Sequence, residues 1–216
     1  RRDRVMLLIL ARHGNTFGPG DTPVWVGANE DLPLTERGLE QSREIGAAIR
    51  TAGIGLDRVL AGPLKRTRVG AGLAAEVCGF TGEVEIDERL REIDYGVWGG
   101  KSDAEIAESW GESAIEDWRE RSIPPRGAGW SPSPETLRRN ARAVFDAATR
   151  ERDADRAVLI VTSNGIMRYF HELVAPDAGG PETAKVKTGR MCAARVGAER
   201  VSALFWNAAP DEARFT

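Results

Sequence analysis

Residues 158–168 read VLIVTSNGIMR: an aliphatic run, two hydroxyls, then Asn164 and Gly165 at the head of a helix-like segment. An uninterrupted aliphatic run leaves no polar face, the pattern of a strand covered on both sides. Such strands belong to parallel sheets in which each strand passes to a helix, and ligands meet them beyond the strands' carboxyl ends. Asn164 stands at that place.

The start of the chain repeats the arrangement. VMLLIL (5–10) is a second apolar run, and it ends in Arg12-His13-Gly14-Asn15-Thr16. The spacing of Leu39, Ile45 and Ile49 predicts a helix over 35–51, with Thr35 as its N-cap. LDRVLAG (56–62) reads as a short strand, 63–79 as a helix with Pro63 near its first turn, and EVEIDERL (83–90) as extended chain. Helices are expected over 102–119 and 135–152, separated by the loop SIPPRGAGWSPSP (122–134), which is too rich in Pro, Gly and Ser to be helical. A hairpin around Gly197 and Ala198 closes the order. This alternation predicts an α/β protein with a mostly parallel central sheet between helices.

Composition bounds the function. Of 216 residues, 41% are hydrophobic and 29% charged, and the formal net charge of −3 gives no reason to expect nucleic acid or an anionic membrane as partner. Cys78 and Cys192 lack the spacing of a disulfide framework or zinc site and are expected to be unpaired thiols. No run approaches the ~18 apolar residues of a membrane span, and VMLLILA is short for a signal peptide. The cytoplasm is the expected compartment.

His13 is one of only two histidines and lies at a strand end between Arg12 and Gly14, a placement suited to chemistry. His171 falls inside the last helix and reads as surface or helix packing. Arg12 offers a planar donor fork for a phosphate or carboxylate. Lys65, Arg66 and Arg68 crowd a helix start, where cations act with free backbone N–H groups on an anion; read alone they equally make a solvated basic face. In LREIDYGVWGG (90–100), Glu92 and Asp94 offer a general acid or, equally, a surface-turn pair. Imidazole, guanidinium and carboxyl groups without metal-ligand spacing fit phosphoryl transfer to a histidine nucleophile, with charge stabilised by arginine.

LILARHGNT, DLPLTERGLEQSREIG, LAGPLKRTRVGAGLAAE, LREIDYGVWGGKSDAEI and VLIVTSNG, in this order, resemble the histidine phosphatase superfamily, which includes phosphoglycerate mutases and many phosphatases. The resemblance implies a three-layer α/β/α sandwich: a single domain over 1–216 with a helical cap insertion at about 96–135. It implies His13 as nucleophile, Arg12 and Arg66 as phosphate clamps, and Glu92 as proton donor to the leaving oxygen. Asn15, Thr16, Asn164 and Gly165 would line the phosphate pocket. No cofactor or metal is implied, the partner is a small phosphorylated substrate or inorganic phosphate, and a homodimer is left open.

Where the family usually has a second histidine, in a block reading SHG, this chain has Asn164. Asparagine keeps an N–H donor but carries no charge. The family's Trp-Asn pair after RHG is absent, WGG stands for WEG, and VKTGRM brings Lys185, Lys187 and Thr188 near the expected mouth. Trp25, Trp98, Trp118 and Trp130 are expected mostly to pack the core or cap, although they could line an apolar entrance. The expected function is a metal-independent phosphatase for a small phosphomonoester, working through a phosphohistidine. The alternatives are a weakly active or non-catalytic phosphoryl-ligand binding protein and a mutase-like phosphotransferase.

Overall fold

In the computed structural model, which describes residues 5–150, 156–174 and 183–216, the two apolar runs lie side by side at the centre of a six-stranded sheet. They are β1 (Met6–Arg12) and β4 (Ala157–Thr162), paired in parallel. β2 (Arg58–Ala61) continues the parallel pairing on the far side of β4, and β3 (Val84–Ile86) follows it. The hairpin of β5 (Met191–Val196) and β6 (Val201–Ala208) joins antiparallel to β1, so the order is β3-β2-β4-β1-β5-β6.

Both faces are covered, which explains the unbroken apolar runs. Ile9, Ala11, Leu159 and Val161 share one core with Ile45 and Ile49 of α1 (Glu36–Thr51) and Ala71 and Ala74 of α2 (Lys65–Cys78). Leu8, Leu10, Val158 and Ile160 point the other way. They pack with Leu137 and Val144 of α5 (Pro134–Ala148) and Ile166 and Phe170 of α6 (Asn164–Val174). Each fully buried aliphatic chain contributes about 1.5–3 kcal/mol, so the two central strands anchor three layers.

Thr35 caps α1 as expected, its hydroxyl accepting from the Gly38 N–H. Other boundaries moved. The helix expected over 102–119 is two, α3 (Asp103–Trp110) and α4 (Glu112–Arg121), broken at Gly111, whose φ of 81° is costly for residues with a Cβ. The extended stretch expected over 83–90 is strand only to Ile86, because Asp87 caps a 3₁₀ turn at Glu88–Leu90. Pro63 precedes Leu64, the N-cap of α2, and so lies before the first turn. The helix expected over 135–152 ends at Ala148, and residues 151–152 lie outside the described residues.

Two glycines set the loop after β1 directly on α1. A Cβ on Gly14 would lie 2.3 Å from the Gly38 carbonyl oxygen, and one on Gly38 would lie 2.3 Å from that of Asn15. No larger residue fits at either position without moving backbone.

Candidate active site

Beyond the carboxyl ends of β1 and β4, a cleft of about 690 Å³ brings together Arg12, His13, Asn15, Thr16, Arg66, Glu92 and Asn164. The His13 N–H donates to the Thr162 carbonyl, at 3.1 Å, so the two strand ends are tied at this point. This is the crevice position where parallel sheets bind ligands.

His13 is 6% exposed, and its Nδ1 lies 2.8 Å from the Gly14 carbonyl oxygen. A carbonyl only accepts, so Nδ1 carries the proton and Nε2 keeps its lone pair. Burial, then the positive charges of Arg12 and Arg66, hold the imidazole pKa well below its ordinary value. At neutral pH the ring is uncharged, with a nucleophilic nitrogen and a fixed tautomer.

The two arginines are held by main-chain carbonyls. Arg12 Nη1 donates to Val186 O at 2.7 Å, whereas its Nε is buried with no hydrogen-bond partner among the described residues. Arg66 donates through Nη1 to Glu30 O (3.0 Å) and through Nη2 to Gly27 O (2.7 Å). Burial lowers both guanidinium pKa values, and the charge of Glu92 opposes that shift at both. Lys65 and Arg68 are exposed while Arg66 is buried, so only Arg66 of the basic cluster turns inward.

Glu92 is 7% exposed, and each of its oxygens accepts a main-chain N–H: Ile93 at 2.9 Å and Gly165 at 3.2 Å. Gly165, expected to line the phosphate pocket, instead supports the carboxyl group; its Cβ would fall 2.3 Å from Glu92 Oε1. Asp94 binds the Gly96 N–H and does not line the cleft, which separates the two candidate acids. Tyr95 also faces the cleft, and its phenol is pushed well above its ordinary pKa by burial and then by the Glu92 charge.

Asn164 Oδ1 accepts from the Val186 N–H at 2.9 Å. An N–H cannot accept, so oxygen must be the atom facing Val186, and the side-chain NH₂ is directed away from it. One peptide unit apart, Val186 thus orients two groups of the cleft, Asn164 through its N–H and Arg12 through its C=O. Asn15 Oδ1 accepts from the Thr188 hydroxyl.

Lys185 and Thr188 line the cleft as expected, but Lys187 does not. Trp25 and Trp118 reach it; Trp98 and Trp130 belong to the aromatic cluster behind. His171 packs edge-on to Trp206, with ring centroids 4.7 Å apart. Sequence reasoning missed Asp103 and Arg119, which also line the cleft. Arg119 Nη2 donates to both Asp103 oxygens (2.9 and 2.7 Å), and Trp25 Nε1 donates to Asp103 Oδ1 at 2.9 Å. These contacts join α3, α4 and the loop after β1, and no local sequence pattern announces them.

The family model described as histidine phosphatase superfamily (branch 1) matches residues 8–209. A 2,3-bisphosphoglycerate-dependent phosphoglycerate mutase of Parvibaculum lavamentivorans is 33% identical over 153 residues, 67% of this chain and 66% of the relative. That of Methylorubrum populi is 31% identical over 123 residues, 56% of this chain and 57% of the relative. The chain thus spans just under two thirds or less of the length of these relatives. Among solved structures, mycobacterial glucosyl-3-phosphoglycerate phosphatase has a TM-score of 0.74 at 21% identity, covering 95% of this chain and 100% of that one. A phosphoglycerate mutase from Bacillus anthracis has a TM-score of 0.76 at 16% identity, covering 97% and 96%. With the family model matching from β1 through β6, the chain belongs to the histidine phosphatase superfamily, branch 1.

Proposed function

We propose that the chain is a metal-independent phosphatase acting on a small phosphomonoester through a phosphohistidine at His13. The observation that carries this reading is the placement of His13, its Nδ1 spent on the Gly14 carbonyl and its Nε2 left for the cleft that Arg12 and Arg66 also line. In the first step Nε2 attacks phosphorus, the bond from phosphorus to the ester oxygen breaks, and the leaving alcohol takes a proton from Glu92. In the second, water attacks phosphorus, Glu92 takes its proton, and the P–N bond breaks to release phosphate and restore the imidazole. Arg12, Arg66 and the Asn164 NH₂ stabilise the equatorial oxygens in both steps.

The test is rapid mixing with a panel of phosphomonoesters in EDTA, with trapping of an acid-labile phosphoryl group on His13. A burst of alcohol release that survives EDTA and disappears in His13→Ala is expected; full activity in that variant overturns the mechanism. A second reading, transfer between positions of a phosphoglycerate, draws on the names of the curated relatives. Phosphoglycerate supplied with 2,3-bisphosphoglycerate separates the two: isomerisation without phosphate release favours transfer.

A further inference from the structure

Gln41 lies on α1, outside the cleft, and among the described residues it hydrogen-bonds to neither His13, Arg12 nor Arg66. Its carboxamide is nonetheless used at both ends. Oε1 accepts from the Asn15 N–H at 2.8 Å, and Nε2 donates to the Thr188 carbonyl at 3.3 Å. The Thr188 hydroxyl donates to Asn15 Oδ1 and closes a three-residue ring of hydrogen bonds.

The ring joins two segments that meet nowhere in sequence. One is the turn after β1, which carries His13 and Asn15. The other is the stretch 185–190, which orients Arg12 and Asn164 through Val186, and whose Gly189 N–H donates to the His13 carbonyl at 3.1 Å. A Cβ on Gly189 would fall 2.8 Å from Gln41 side-chain carbons, so the chain passes close against the amide. Gln41 therefore braces the turn that carries the nucleophile against the segment that aims its partners. Neither bond is replaceable by a shorter amide, because both partners are backbone atoms fixed by other contacts.

We propose that Gln41 is a positioning residue: its amide sets the spacing between Asn15 and the 185–190 segment and thereby the geometry of the phosphoryl cradle. The inference rests on the phosphatase reading for its functional consequence, while the brace itself can be read without turnover. Gln41→Met keeps length and removes both bonds; Gln41→Glu keeps the acceptor for Asn15 and loses the donor to Thr188. Two lost hydrogen bonds at about 1 kcal/mol each correspond to about tenfold or more.

Amide exchange, vanadate affinity and kcat/KM for p-nitrophenyl phosphate are measured on the full chain. Exchange at the Asn15 N–H is expected to rise about tenfold or more in Gln41→Met and little in Gln41→Glu. Vanadate affinity should fall about tenfold in Gln41→Met, with Gln41→Glu between it and the native chain. A fall in thermal stability alone, with native vanadate affinity, overturns the proposal, as does native exchange at Asn15. A native chain that neither binds vanadate nor turns over substrate overturns the phosphatase reading instead, and exchange at Asn15 still decides the brace.

Discussion

Replacing Asn164 tests how the cleft supplies its positive potential. In Asn164→Asp, one oxygen keeps the Val186 N–H, so the side chain is expected to hold its position while the NH₂, the donor the proposed mechanism uses, becomes an oxygen. Removing one donor to a developing phosphoryl charge costs about 10²–10³ in rate. Two like charges 4 Å apart repel by about 4 kcal/mol at an effective dielectric constant of about 20, an amount that Arg12 and Arg66 reduce without cancelling. A fall in kcat/KM of at least about 10³ is expected, with little loss of thermal stability. Asn164→His works differently. The Val186 N–H needs an acceptor, and only an unprotonated ring nitrogen can be one. The imidazole is then neutral and presents a single N–H to the cleft, and the same guanidinium charges that help hold His13 uncharged act on it too. One neutral donor replaces another, so kcat/KM should stay within about threefold, whereas a cationic donor would add about 1 kcal/mol or more, about tenfold. Both variants are assayed with p-nitrophenyl phosphate and with vanadate as inhibitor. A gain of about tenfold or more in Asn164→His, or native activity in Asn164→Asp, refutes the reasoning.

Two further outcomes follow from the geometry. In the proposed mechanism the nucleophile is the neutral imidazole, the form present above its pKa, and burial with Arg12 and Arg66 lowers that pKa, so the acid limb of kcat/KM is expected at lower pH. Titration of His13 by NMR in the ligand-free protein, assigned with His13→Gln, should give a midpoint below about 6.5; a midpoint at or above it contradicts the assignment. Gly165→Ala places a Cβ 2.3 Å from Glu92 Oε1 and must displace the carboxyl group. Loss of a positioned general acid costs about 10²–10⁴, so turnover of an alkyl phosphate should fall that far while p-nitrophenyl phosphate, with its better leaving group, loses much less. Equal losses on both substrates would remove Glu92 from the role of acid.

The architecture was legible where local chemistry dictates it. The apolar runs at 5–10 and 158–161 became the central strands because both faces of the sheet are covered, and the Thr35 cap is a contact between residues three apart. His13, Arg12, Arg66 and Glu92 could be picked out because each sits at a strand end, a helix start or the turn after an extended segment. Gly111 broke a helix whose apolar spacing runs through it, since a glycine at positive φ is invisible to periodicity. The support that Gly165 gives Glu92 could not be read locally because its amide serves a carboxylate 73 positions earlier in the chain. Gln41 and Arg119 gave no signal, since polar residues on helices are ordinarily solvated and their partners are fixed only by the tertiary fold.

Asn164 shows where residue chemistry falls short of site chemistry. As a residue type it reads as one positive charge fewer than a histidine. Its environment gives the substitution another meaning, because the Val186 N–H takes the Asn164 acceptor and leaves the NH₂ as the remaining donor, and a histidine there is expected to be held neutral in the same way. The cleft already carries two guanidinium groups, that of Arg66 buried and that of Arg12 half-buried. Burial lowers the pKa of each, and Arg66 lowers that of Arg12 further, so a third cation would meet the same opposition. The charge of Glu92 offsets part of that cost only while the carboxyl group is ionised, whereas the first step of the proposed reaction needs its proton. In the proposed reaction a neutral donor at 164 would stabilise phosphoryl oxygens without adding to this repulsion, leaving the positive potential to Arg12 and Arg66 and direction to the amide.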